Sequence, residues 1–357
     1  MDTTINDRVR ALVHDRRLVQ KALADQVGMT ADALSRALSG QRGFGSLELA
    51  RIADALSVDV YELITGEPDP NRLLVAARHS YDHDTGTYSN DTAEEDRPLL
   101  ADIRLAYTQA YPGGQPPASH VPSSPEAVRE ALGADFVRHL ADRLEEHCGV
   151  DVVRIPKLGT AYSMFMGTRA LIVIASNGNW FRENWDIAHE LGHLAAGTVG
   201  DGARDEAAAN NFAARLLLPE DMILQVDWTS LTLEALGEHL WQWGVSTDAL
   251  RIRLGSLRVR TSSEVDGWLR TSTPRLLRNA LPAHISEMIE RQREAAARRF
   301  PTALTDEHEK AIADGRLGKG TLAWMLGVSE DALEVAEPEL RHGSVNDLAD
   351  MLGLVPT

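Results

Sequence analysis

The sequence is short of the residues that most alternative chemistries would need. A single cysteine, Cys148, stands in 357 residues, which excludes an internal disulfide and any zinc ribbon or iron–sulfur cluster, since each needs several thiolates. Any metal must then be held by histidine and carboxylate. Long hydrophobic runs are missing too: the longest near the middle, 170–175, could not cross a bilayer. The first residues, MDTTINDRVRALVHDRR, carry charges where a secretory signal needs an apolar core, so a cytoplasmic, soluble protein with no membrane partner is expected. Positive charge is scarce. A formal net charge of -17 argues against coating nucleic acid by general electrostatics. The imbalance is uneven: residues 1–66 hold 8 Lys and Arg against 9 Asp and Glu, the remainder 28 against 44. If DNA is bound, the N-terminal segment is the least disfavoured place.

What is present has the composition of a globular protein, and the length calls for two or three domains. Residues 5–64 show apolar positions at three- and four-residue spacing throughout, an all-α unit over 1–66 that runs out at the GEPDPN of 66–71. The acidic stretch 80–97 and the Pro/Gly/Ser-rich stretch 111–125 read as loops, with one short helix at 99–107, making 67–125 a linker. An amphipathic helix at 126–147 follows, then strand-like runs at 150–156, 161–167 and 170–176, then helices at 181–196 and 204–218, the last stopped by Pro219. Sheet before helices predicts an α+β unit over 126–260, and 261–357 reads as a mostly helical C-terminal region. There the charged segment 285–299 is expected to be a solvated scaffold. An echo runs through the chain: ALADQVGMTADAL (22–34), EHLWQWGVSTDAL (238–250) and GTLAWMLGVSEDAL (320–333) each read as a helix, a left-handed glycine and an N-capping hydroxyl opening the next helix.

The strongest signal is HELGH, 189–193. Residues four apart share a helix face, so His189 and His193 can bring two imidazole nitrogens to one ion, with Glu190 beside them to act on a bound water. An open tetrahedral zinc site needs a third protein ligand. Glu206, thirteen residues after His193 at the start of the next helix, shares a face with Asn210, Ala213, Ala214 and Leu217. Small residues there would let the helices approach closely. Asp205 is the neighbouring rival, about 100° away around the helix. Gly197 is expected to cap the motif helix and GTVGDG to reverse the chain; Gly192 is either merely tolerated within the helix or leaves room for an approaching substrate or strand. The chemistry implied is metal-assisted hydrolysis, with Glu190 as the general base for a metal-bound water. Tyr162 is a candidate oxyanion donor, set against a plain sheet-packing role.

HELGH together with ExxANxFAAxLLxP, here running from Glu206 through Asn210 and Phe212 to Pro219, resembles the ImmA/IrrE family of bacterial and phage metallopeptidases over about 126–257. The resemblance implies a zincin-like, gluzincin-type fold, zinc (or another divalent ion such as Mn2+) on His189, His193 and Glu206, and Glu190 as the base. It further implies a regulatory protease whose protein substrate is a helix-turn-helix repressor. The sequence departs from the family just before the motif, where ENWDIA occupies 183–188 and places Asp186 near the site.

Gln20 to Val27, the turn at Gly28-Met29-Thr30 and Ala31 to Ser39 have helix-turn-helix spacing, with Leu23, Val27, Leu34 and Leu38 inward. The segment resembles the XRE (Cro/repressor) family over about 6–66. By that resemblance Thr30, Ala31, Asp32, Ser35 and Arg36 face the major groove of an operator, and Gln20 and Arg42 meet phosphates. Such a unit can equally serve only as a homodimer or docking module. The leading expectation is therefore a zinc metalloendopeptidase fused to a DNA-reading domain. The competing one is a transcriptional regulator whose peptidase-like domain is a ligand or metal sensor, or an antitoxin-like binding module, without proteolysis.

Overall fold

A computed structural model describes residues 4–16, 18–56, 58, 60–66, 73–77, 80–82, 87–89, 92–112, 116–197 and 203–336. The reversal expected of GTVGDG beyond Gly197 and the linker positions 67–71 lie outside the described residues. The chain divides into two compact units, Met1–Arg72 and Leu73–Thr357.

Among its described residues the first unit has five helices: α1 Ile5–Asp15, α2 Gln20–Val27, α3 Ala31–Leu38, α4 Ser46–Ala55 and α5 Val60–Thr65. Their three- and four-residue apolar spacing converges on one core that includes Val9, Val13, Leu23, Val27, Leu34, Leu38, Ile52 and Leu56. Gly28 closes α2 in the left-handed region at φ 71, a conformation nearly free only to glycine. Thr30 then caps α3 by accepting from the Ala33 N–H at 3.1 Å.

The second unit is built on a four-stranded mixed sheet of order β1-β5-β6-β4, with β1 Leu73–Ala77, β4 Asp151–Ile155, β5 Tyr162–Met166 and β6 Arg169–Ala175. A separate hairpin pairs β2 Ser80–Asp82 with β3 Thr87–Ser89. β4 runs parallel to β6, whereas β5 is antiparallel to both β6 and β1. Period-two alternation sorts the side chains onto two faces. Val152, Ala170, Ile172 and Ile174 enter one core, and Val153, Ile155, Leu171 and Val173 enter another. Because both faces are covered, the strands read as nearly unbroken apolar runs, the form in which the sequence shows them.

Two expectations are corrected. The stretch read as a linker supplies the edge strand β1, and its short helix is α6 Ala93–Ala110, 18 residues long despite Pro98 within it. Buried Asp96 anchors that helix to the sheet side, accepting from the Tyr162 hydroxyl at 2.7 Å and the Gly159 N–H at 2.9 Å. The single helix read over 126–147 is two, α7 Pro125–Leu132 and α8 Leu140–Cys148, with a short 3-10 turn at Phe136–His139. Left-handed backbone at Gly133 (φ 75) and Asp135 (φ 54) breaks it. The C-terminal helices belong to the same compact unit, Leu304 of Thr302–Ala313 completing the second core. No helix among the described residues is long and apolar enough to cross a membrane.

Candidate metal centre

The motif helix is α9, Trp180–Ala196, followed by α10, Ala203–Leu217. Asn179 caps α9, accepting from the Arg182 N–H at 3.2 Å, and Gly197 ends it in the left-handed region at φ 63. From Ile187 to Leu194 every residue of α9 is buried, as expected of a helix enclosed on all sides rather than one with a wet face. Its first turn is fixed to the sheet by Glu183, which accepts from Arg154 Nε at 3.0 Å.

α10 lies directly against α9, and Gly192 is the reason it can. A Cβ there would stand 3.0 Å from both the Ala209 Cα and the Phe212 Cβ, closer than packed carbons tolerate. The space left at Gly192 is therefore filled by α10, not reserved for a substrate or strand. Ala209 and Ala213 present the small buried faces to this contact; Ala209, not the half-buried Ala214, completes the stripe.

This close approach brings Glu206 to the two histidines. His189 Nε2 and His193 Nε2 are 3.2 Å apart, and the Glu206 carboxylate oxygens lie 3.3 Å from the first and 3.5 Å from the second. The imidazole rings meet at 71°. Ligand corners around zinc at bonds of about 2.0–2.1 Å are separated by roughly 3.3–3.4 Å, so the nitrogen–nitrogen and the two nitrogen–oxygen separations each have the length of an edge of such a tetrahedron. The donor set, two neutral imidazoles and one carboxylate, is also that of a zinc site whose fourth position stays open. His189, His193 and Glu206 are the group of potential ligands that converges among the described residues. Asp205 is not part of it.

The electrostatics of the arrangement agree. Burial pushes the Glu206 carboxyl up, but the hydrogen bonds and charges of His189 and His193 outweigh it and hold the group far below the usual carboxylate range. Burial pulls His193 down, yet the hydrogen bond to Glu206 and the charges of Glu190 and Glu206 raise it overall. A cationic centre is what these acids are arranged around. Glu190 is fully buried on α9 beside His193.

One contributor was not singled out for a role from sequence. Asn210 Oδ1 lies 3.1 Å from His189 Nδ1. An amide oxygen can only accept, so the proton sits on Nδ1 and the Nε2 lone pair is turned toward the other two ligands. Its signal is present in retrospect: Asn210 follows Glu206 by one helical turn. One other expectation changes. Tyr162 is no oxyanion donor here, because its hydroxyl is given to Asp96. Asp186 pairs with Arg182 at 3.3 Å, outside the ligand cluster.

Most of the candidate DNA contacts are exposed. Gln20, Thr30, Ala31, Asp32, Ser35 and Arg36 are exposed; Arg36 makes a loose 3.9 Å pair with Asp32. Arg42 is half-buried and engaged by Glu48.

Neither a curated protein nor a solved structure matches the chain. Residues 145–255 match the family model described as Peptidase_M78, IrrE N-terminal-like domain. The chain therefore carries an IrrE-like M78 peptidase domain, and its cluster of His189, His193 and Glu206 matches the active site of an HEXXH-type zinc metallopeptidase.

Proposed function

We propose that this protein is a cytoplasmic, zinc-dependent regulatory endopeptidase that cleaves a partner transcriptional repressor and reads operator DNA through residues 1–66. The observation that carries the peptidase part is the convergence of His189, His193 and Glu206 at separations of 3.2, 3.3 and 3.5 Å, held by two helices that Gly192 allows into contact. Bound zinc would supply Lewis acidity, acidifying a water and polarising the scissile carbonyl. Asn210 keeps His189 in the tautomer that offers Nε2. Glu190 accepts the water's proton at its carboxylate and passes it on toward the leaving amine. The surrounding apolar wall excludes bulk solvent from that transfer. Support for repressor cleavage and for DNA reading comes from the family resemblances and from the exposed positions of α3.

A second reading is favoured by one observation: His189, Glu190, His193 and Glu206 are all 3 % exposed or less, so a peptide reaches them only after the site opens. In that reading the unit senses metal or a ligand and cuts nothing. Glu190→Gln separates the two. The variant is expected to keep about one zinc per chain and lose on the order of 10²–10⁴-fold in cleavage of a co-expressed repressor, followed by gel electrophoresis. Unchanged regulation in cells carrying Glu190→Gln would remove proteolysis from the function.

A further inference from the structure

On the side of the second unit where α8, the first turn of α9 and the helix Ile285–Ala296 meet, a cavity of about 390 Å³ is lined by four guanidinium groups, those of Arg138, Arg154, Arg291 and Arg299. Three have carboxylate partners. Arg154 is held by Glu183 and also donates to the Glu294 carbonyl at 2.9 Å. Arg299 donates to Glu145 at 2.6 Å and Asp142 at 2.7 Å, and Arg138 lies 3.7 Å from Glu287. Arg291 is different. It is 7 % exposed, and among the described residues no carboxylate pairs with it and no hydrogen bond holds it. Its contacts are the rings of Trp180, 3.9 Å from the guanidinium carbon, and Trp241, 5.0 Å away. The charged segment expected to be a solvated scaffold thus turns one arginine into the interior.

A buried guanidinium stacked on indole keeps its edge, with up to five N–H donors, directed away from the ring face. Burial and the nearby charge of Arg138 pull Arg291 down to about 10, still cationic at neutral pH, so the cost of its burial stands in the folded protein. An anion entering the cavity would remove that cost, accept the unused donors, and lie between Arg291 and the more exposed Arg138. The volume exceeds what a bare oxyanion fills and is in the range of small-ligand sites. We propose that this cavity is a binding site for a small organic anion, a carboxylate or phosphate ester, recognised by Arg291 and Arg138 and distinct from the metal centre. Because the cavity touches Trp180 and Glu183 in the first turn of α9, an occupant would bear on the helix that carries His189 and His193. The site stands whether or not the metal centre is a peptidase.

The test uses the full chain, titrated with inorganic phosphate and, separately, with malonate, each against sodium chloride at matched ionic strength. Tryptophan emission and the melting temperature are followed. Wild type is expected to show a saturable emission change and a rise in Tm with at least one anion; phosphate alone points to a phosphate ester, malonate alone to a carboxylate. Arg291→Met is expected to abolish the saturable response and to melt no lower than wild type in chloride, since a buried, unpaired charge has been removed. Arg138→Ala, at the half-exposed side, keeps the fold and is expected to bind about tenfold more weakly, the loss of one charge-assisted hydrogen bond. No saturable response to either anion, or equal responses in wild type and Arg138→Ala, would overturn the proposal. So would a lower Tm for Arg291→Met in chloride with its anion response intact, which would make Arg291 a packing residue only.

Discussion

Two helix pairs carry the residues with chemistry, and they treat them in opposite ways. In α9 and α10, His189, Glu190, His193 and Glu206 are turned into the core. In α2 and α3, Gln20, Ala31, Asp32, Ser35 and Arg36 face outward. Both leading helices end on a left-handed glycine, Gly197 at φ 63 and Gly28 at φ 71, so local turn geometry does not make the difference. Burial does. A polar group taken from water must be matched by a partner, which confines His189, His193 and Glu206 to one arrangement and points to one kind of occupant. Exposed groups carry no such requirement, and the same surface suits DNA, a second copy or solvent. The turn echoed at 238–250 makes the point within the second unit. Gly244 (φ 62) and the capping Ser246 repeat the geometry of Gly28 and Thr30. There, however, Thr247 is buried where its counterpart Ala31 is exposed, and a Cβ on Gly244 would stand 2.6 Å from Asn184 Nδ2 of the motif helix. The echo is a folding device, free to face core or solvent. At 320–333 it weakens further: Gly327 is left-handed, but only a 3-10 turn, Glu330–Ala332, follows.

The comparison breaks most readily at the buried pair. Glu206→Ala removes the carboxylate corner and is expected to weaken zinc by at least about a thousandfold, since structural zinc energies of this kind are shared among few ligands. Metal analysis of the purified variant should then find no zinc, where wild type holds about one per chain. A variant that keeps its full complement would show that the triangle is a buried ion pair and not a metal centre. A smaller effect is expected from Asn210→Ala, which leaves all three ligands in place and releases the His189 Nδ1 proton. Zinc affinity should fall about 10- to 100-fold by competition with a chelating dye, and Asn210→Asp, which still accepts that proton's hydrogen bond, should recover most of it. Equal affinity in Asn210→Ala would mean that packing alone fixes the His189 ring.

Much of this centre was legible in the sequence because it is written in short-range periods. His189 and His193 are one turn apart, Glu206 opens the next helix, and the runs around 152, 164 and 172 are bounded closely enough to give β4, β5 and β6. What was not legible depends on distant partners. β1 is a five-residue strand whose identity comes from its register against β5, Leu73 opposite Met166 and Ala77 opposite Tyr162. α6 begins in an acidic stretch that looks like a linker until Asp96 is seen to receive Tyr162 and Gly159. Arg291 sits among Glu287, Glu290, Arg293 and Glu294, and only the tertiary placement of Trp180 and Trp241 removes it from the solvated face. Gly192 was noticed, but its occupant was misread, because a missing side chain does not say which helix will fill the space.

The exposed pair is tested at Arg36, where the expected effect is smallest and separates most cleanly into two readings. Its side chain is 56 % exposed and its only ion pair among the described residues, with Asp32, spans 3.9 Å. Such a pair contributes about 0–0.5 kcal/mol, so Arg36→Ala should melt with wild type. If α3 enters a major groove, the same change removes a base-edge or phosphate contact, and retardation of the protein's own upstream DNA should need roughly tenfold more protein. Because the first unit lacks net positive charge, that retardation should also collapse as salt is raised. Wild-type and Arg36→Ala proteins that shift DNA equally would show that α3 is not the reading surface. The contrast between the helix pairs would then lie between a metal centre and a surface used for something other than DNA.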